Sequence, residues 1–149
     1  MATSLFVNIS TADVERAKSF YTALGWTINP NFSNENAASV VIDDDKFLMV
    51  LARDYYQEFL DGTGKQVGNP ATTSLALISF SLESREAVDQ FAEKVIAAGG
   101  KVDEPKDHGF MYQRAFEDPD GNRFEPFWMD PAAAEGGPDA SETTSGSNR

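Results

Sequence analysis

The sequence predicts an α+β fold built from two βαβββ units that share one sheet and one core, and three observations carry that prediction. At the front of the chain, an apolar strand is followed by an amphipathic helix and then by three short β-type runs. The same order of patterns begins again about 70 residues later, a weak internal duplication. At 149 residues the chain is long enough for one well-buried domain, whereas either half alone would be marginal.

The run "SLFVNIS" opens the first module as a strand. In "TADVERAKSFYTALGW", Val14, Ala17, Phe20, Tyr21 and Leu24 recur at helical spacing; Thr11 or Asp13 can cap the start and Gly25 can end it. "WTINPNFS", "AASVVIDDD" and "KFLMVLARD" follow as three β-type runs separated by Asn, Pro and Asp turn signals. After the polar linker "YYQEFLDGTGKQVGNPATT", the run "SLALISFSLESREAVDQFAEKVIAAGGKV" supplies a strand, a Ser84 cap, a helix through Val88, Phe91, Val95 and Ile96, and a glycine stop. Phe20 and Phe91 occupy matching points of the two helices, and Gly25 answers to Gly99 or Gly100. "FMYQRAFED" and "NRFEPFWM" complete the second module as hairpin strands joined by Asp-Pro-Asp-Gly-Asn, a strong turn signal. The expected organisation is one domain over 1–131, with module one at about 4–54, a linker at about 55–73 and module two at about 74–131. Residues 132–149 are rich in Gly, Ser, Thr and Ala and lack any large apolar side chain, so a disordered tail is expected there.

Composition narrows the function classes. The chain has 24 acidic and 12 basic side chains, a formal charge of −12, which disfavours nucleic acid and anionic membrane and favours a cationic ligand. No signal peptide is read, and no stretch approaches the roughly 20 apolar residues of a membrane span. The absence of cysteine removes disulfides and thiolate sites, which fits a cytoplasmic protein.

Three segments, "FVNISTADVERAKSFYTALGW", "SREAVDQFAEKVIAAGG" and "GFMYQRAFEDPDGNRFEPFWMDP", resemble the vicinal oxygen chelate superfamily, which includes glyoxalase I, the extradiol dioxygenases and the bleomycin and fosfomycin resistance proteins. The most specific feature is the ending, a strand, Asp-Pro-Asp-Gly, and a Glu on the following strand; more narrowly, the chain is similar to bacterial proteins labelled predicted lactoylglutathione lyase. The resemblance implies a curved eight-stranded mixed sheet around a cavity, helices on its outer face, and a homodimer. In metal-using relatives the first and fourth strands of each module supply the ligands. Those positions fall here on Phe6, Met49, Ala76 and Glu125, and only Glu125 keeps a ligand type. One donor does not hold a divalent ion, so no metal or other cofactor is expected; a divalent metal in an unusual site is the alternative.

The candidate residues follow from the same reading. Glu125 lies among aromatic residues and alternates onto the cavity face with Phe127, as a ligand contact or proton carrier; a carboxylate satisfied by Arg114, Arg123 or backbone is the structural alternative. Phe6 and Asn8 point the same way from the first strand, and Asn8 offers an amide to orient a ligand. His108, the only histidine, is a candidate general base in the loop "DEPKDHGFMY", although a solvent-facing loop residue has the same sequence signature. Tyr112 and Arg114 alternate with Phe116 and are candidate wall residues; Phe47 and Phe80 are candidate aromatic lining. "DPDGN" fails as a calcium loop because its Gly comes two positions early, and "GTGKQ" lacks phosphate-loop spacing. Three functions remain. The first is a metal-free protein binding a small aromatic or apolar molecule; the second is a metal-dependent lyase or extradiol dioxygenase, with Glu125, His108 and Asn8 recruited to an unusual site; the third is a metal-free enzyme with Glu125 or His108 as its base.

Overall fold

A computed structural model of the chain describes residues 3–136. Module one contains β1 (Leu5–Thr11), α1 (Val14–Ala23), β2 (Thr27–Ile28), β3 (Ala37–Asp43) and β4 (Lys46–Ala52). Its four-stranded sheet runs β1-β4-β3-β2, with β1 parallel to β4 and the other pairs antiparallel. Module two contains β5 (Leu77–Ser81), α3 (Arg85–Ala97), β6 (Lys101–Val102), β7 (Lys106–Asp107), β8 (Met111–Gln113), β9 (Phe116–Glu117) and β10 (Arg123–Met129). There β5 is parallel to β10, which pairs antiparallel with β8 and β9, and these pair with β7 and β6 respectively.

The second sheet has six strands only because two of its strands are interrupted. The Arg114 N–H donates to the Pro126 carbonyl at 3.3 Å, but a proline has no N–H to return the bond, so the ladder breaks between β8 and β9. Pro105 stands between β6 and β7. Joining the fragments recovers the expected βαβββ order in both modules. Among the described residues, strand pairing runs within each module's sheet and not between the two.

The expected caps and stops form. Asp13 accepts the Arg16 amide and Ser84 the Ala87 amide, each at 3.0 Å. Gly25 and Gly99 end their helices in the left-handed region, at φ 98° and 97°. Both helices cover the apolar faces of the sheets, and one core spans the modules: Phe20 and Tyr21 of α1 and Phe91 and Val95 of α3 pack with Ile9, Val40, Leu48, Phe116 and Phe124. Phe116 stacks on Phe124 with centroids 4.8 Å apart. Burial of each such ring contributes about 2–3 kcal/mol, so the shared core ties the two small modules together.

A polar seam completes the junction. The Asp-Pro-Asp-Gly-Asn turn of module two docks on the end of β1 and the start of α1. Thr11 Oγ1 and the Ala12 amide donate to Asp120 at 2.6 and 2.8 Å, and Arg16 pairs with it at 2.7 Å. Behind it the fully buried Tyr21 hydroxyl donates to Asp118 at 2.5 Å. Burial, then the neighbouring Asp118 carboxylate, pushes the Tyr21 phenol well above its ordinary value of 10.0. Above about pH 10 the unfolded chain therefore loses a proton that the folded chain keeps, and stability present below that pH is lost as pH rises toward the folded value. In a tyrosinate absorbance titration, Tyr21 should be the last of the four tyrosines to ionise, coincident with unfolding. Tyr21→Phe should flatten the alkaline fall in urea-unfolding free energy, and an unchanged slope would show that Tyr21 does not control it.

Three elements lie outside the sequence expectation, the first a 3-10 turn at Pro30–Phe32, which leaves only Thr27–Ile28 of the run "WTINPNFS" as strand. The helix α2 (Arg53–Glu58) replaces the start of the linker, and α4 (Pro131–Gly136) makes residues 132–136 helical rather than disordered. The rest of the expected tail, 137–149, lies outside the described residues. Among the described residues no helix is long and apolar enough to cross a membrane.

Candidate functional site

Strand alternation divides each sheet into a core face and an open face. Because Ile9, Leu48 and Val50 are buried in the core, Phe6, Asn8, Phe47, Met49 and Leu51 stand on the other face of module one. Register places Phe6 beside Phe47 and Asn8 beside Met49. The Phe6 and Phe47 rings stack at 4.6 Å, and Phe6 remains 52% exposed.

The helix α2 packs against β1 and β4, carrying Tyr55 and Tyr56 toward this face. Its return segment is tied down by Gln57, which donates to the Lys65 carbonyl at 3.0 Å and accepts the Val67 amide at 3.0 Å. Between this cover and the loop at 31–34 lies a cavity of about 350 Å³ floored by Ala37, Met49 and Leu51, with Asn8, Tyr55 and Phe59 on its walls. A second lobe of about 320 Å³ adjoins it, sharing Asn8, Leu51 and Phe59 and adding Tyr56 and Leu60. Among the described residues no charged side chain lines either lobe. Their chemistry is an apolar floor with aromatic walls, to which Asn8, Asn31, Ser33 and Asn34 add neutral hydrogen-bonding groups around the first lobe.

The open face of module two holds the other half of the expected site. Register pairs Ser79 with Glu125 and Ser81 with Phe127, and the Ser79 hydroxyl donates to Glu125 Oε1 at 3.1 Å. Glu125 is 6% exposed. Phe127, Ser79 and Ser81 line a separate cavity of about 500 Å³ together with Trp26, Asp43 and Lys46. The single cavity expected from sequence is thus divided. Asn8 and Met49 meet in one part, Phe127 lines another with Glu125 behind its Ser79, and Glu125 does not line the cavity of Asn8.

Tyr112 and Arg114 require correction. Phe116, which alternates onto their face, is buried in the core, so that face is turned to the helices and not to a cavity. The Tyr112 hydroxyl donates to Asp89 of α3 at 2.6 Å, and Arg114 lies 3.6 Å from the same carboxylate. The Arg85 guanidinium covers the Tyr112 and Trp128 rings at 5.3 and 5.1 Å, which completes a structural cluster. Phe80 likewise packs edge-on to Trp26 and Phe91 on the helix side, although it also borders the cavity between the modules. His108 is held at the β7–β8 turn by its backbone, whose N–H donates to the Met111 carbonyl at 2.8 Å, and its ring lies 6.4 Å from Phe110. It lines none of these three cavities.

Sequence reading missed Tyr55, Tyr56, Phe59 and Leu60 by treating this stretch as polar linker. The signal was present: Tyr55 with Phe59 and Tyr56 with Leu60 are i,i+4 pairs, and the first pair is in edge contact at 5.1 Å. A divalent ion of the type metal-using relatives hold does not fit these residues. At the positions that the resemblance implies, Phe6, Met49, Ala76 and Glu125, only Glu125 carries a ligand group, and the register sets Ser79 rather than Ala76 beside it. Among the described residues no three His, Cys, Asp or Glu side chains are grouped to hold an ion.

Residues 3–43 match the family model for a bleomycin resistance protein-like N-terminal domain. The fold is similar to that of a hypothetical protein from S. aureus, 27% identical, with 87% of this chain and 95% of that one covered at a TM-score of 0.70. It is also similar to a glyoxalase/bleomycin resistance protein/dioxygenase family enzyme from Burkholderia phytofirmans, 23% identical, covering 86% and 99% at a TM-score of 0.71. A glyoxalase/bleomycin resistance protein from Albidiferax ferrireducens is 23% identical, covering 83% and 96% at a TM-score of 0.58. No curated protein matches the chain in sequence.

Proposed function

We propose that this chain is a member of the vicinal oxygen chelate superfamily, whose fold it shares and whose bleomycin resistance protein-like N-terminal model matches residues 3–43, and that it binds a small aromatic or apolar molecule without a metal. The observation that carries the reading is the module-one cavity, where Met49 and Leu51 form an apolar floor, Tyr55 and Phe59 supply aromatic wall, and Asn8 is an orienting amide. Affinity there comes from burial, at roughly 25 cal/mol per Å², and from ring contacts. The cationic preference expected from Glu125 does not extend to this cavity, because its lining is neutral.

Lyase or dioxygenase chemistry in this superfamily's manner requires a Lewis acid to polarise substrate oxygen, and Phe6 and Met49 occupy positions where its ligands would stand. Glu125 and His108 do not line the Asn8 cavity, so binding rather than catalysis is the proposed role.

Naphthol and methylnaphthalene are suitable probes on EDTA-treated protein. Both should raise the melting temperature, equally with or without added Zn, Ni, Mn or Fe. Asn8→Ala should weaken naphthol about tenfold and methylnaphthalene little, as expected for one lost hydrogen bond. Met49→Trp, which fills the floor, should abolish both. Stabilisation or hemithioacetal isomerisation seen only after metal is restored would reject the proposal and favour the lyase.

A further inference from the structure

The cavity of about 500 Å³ between the modules shares no lining residue with the two lobes around Asn8. It lies where the β3–β4 hairpin tip meets β5, with walls from Trp26, Phe80 and Phe127; the first two rings are edge-on at 5.4 Å. We propose that this cavity is a second binding site, for an organic ammonium ion carrying an aromatic ring. The proposal is independent of the module-one reading.

The polar groups select the sign of the ligand's charge. Of the two hydroxyls that line it, Ser79 has committed its proton to Glu125, so its oxygen offers lone pairs to a donor, whereas Ser81 can donate or accept and does not discriminate. Among the described residues Lys46 is the one cation that lines the cavity, and its ammonium already lies 2.8 Å from Asp45 and 3.7 Å from Asp43. An incoming carboxylate would compete with both. Lys46 sits closer to Asp45 than to Asp43, so the two carboxylates outnumber it. An incoming ammonium can share the exposed Asp43 carboxylate while meeting the Ser79 oxygen and the aromatic side chains of Trp26, Phe80 and Phe127, of which indole attracts cations best. The volume lies within the range that accommodates small organic ligands, and the net charge of −12 favours approach of a cation.

The full chain should be titrated with phenethylamine, neutral phenylethyl alcohol and anionic phenylpropionate while the indole N–H of Trp26 is followed by heteronuclear NMR. Its resonance is distinguished from that of Trp128 by its loss in Trp26→Phe. Phenethylamine should move it with an affinity about tenfold above that of the alcohol and more above that of the acid. Asp43→Asn, at a side chain 63% exposed and outside the core, should remove most of that preference and leave the alcohol unchanged. Equal binding of the three probes, a preference for phenylpropionate, or an ammonium preference that survives Asp43→Asn would overturn the assignment. So would a response to phenethylamine at the Asn8 amide but not at Trp26, whereas binding of naphthol at Asn8 tests only the module-one proposal.

Discussion

Replacing Asp118 with Ala should destabilise the protein by about 3–5 kcal/mol, the range expected when one buried acceptor serves several donors. Its Oδ1 accepts the backbone amides of Asp120, Gly121 and Asn122 at 2.9–3.0 Å, and its Oδ2 accepts Tyr21 Oη and Asn122 Nδ2. The first two amides are partly exposed and can turn to water. Tyr21 and Asn122 cannot, because both are buried, and Asn122 also holds the Ser10 carbonyl of β1 at 3.0 Å. Losing Asp118 therefore strands donors on both sides of the junction. Burial pushes the Asp118 carboxyl above its ordinary range although Tyr21 and Asn122 pull the other way, as expected of a charge kept inside for its hydrogen bonds. Urea unfolding followed by circular dichroism measures the loss. A double-mutant cycle with Tyr21→Phe should return a coupling of about 1–3 kcal/mol. A loss below about 1 kcal/mol would mean that the turn relaxes to solvent and that the modules are joined by the apolar core alone.

What the sequence disclosed was whatever depends on local pattern. The caps at Asp13 and Ser84 and the stop at Gly25 each follow from period and residue type, whereas the family resemblance places Phe6 and Met49 on the open face and alternation with Phe6 places Asn8 there. The tight turn at 118–122 was legible for the same reason as the caps. Its docking was not: Thr11, read as a possible helix cap, instead donates to Asp120 from 109 residues away, a partnership that no periodicity records. The site was half legible on the same grounds. Alternation correctly paired Glu125 with Phe127, but it could not choose between the two faces of "MYQRAF" without knowing that Phe116 joins the core. The cover over Asn8 was missed because a six-residue helix offers too short a window for a periodic signal to outweigh its polar neighbours.

Gly121→Ala tests a contact of this long-range kind, and should cost about 2–4 kcal/mol. Gly121 sits at φ 104°, where an L side chain is strained, and an added Cβ would come within 2.6 Å of the Pro70 carbonyl oxygen and 3.1 Å of Ala71 Cα. Those are backbone atoms of the linker and cannot rotate aside. The segment is itself shaped by Asn69, which accepts the Ala71 amide through its side chain and the Thr73 amide through its carbonyl. Gly99→Ala supplies the control: its φ is 97°, but nothing lies within 4 Å of the added carbon, so it reports backbone strain alone, about 1 kcal/mol. The difference between the two variants in urea unfolding isolates the seating of the linker on the turn. Equal losses would show that Pro70 is displaced without cost, and the linker would then contribute nothing to the junction it crosses.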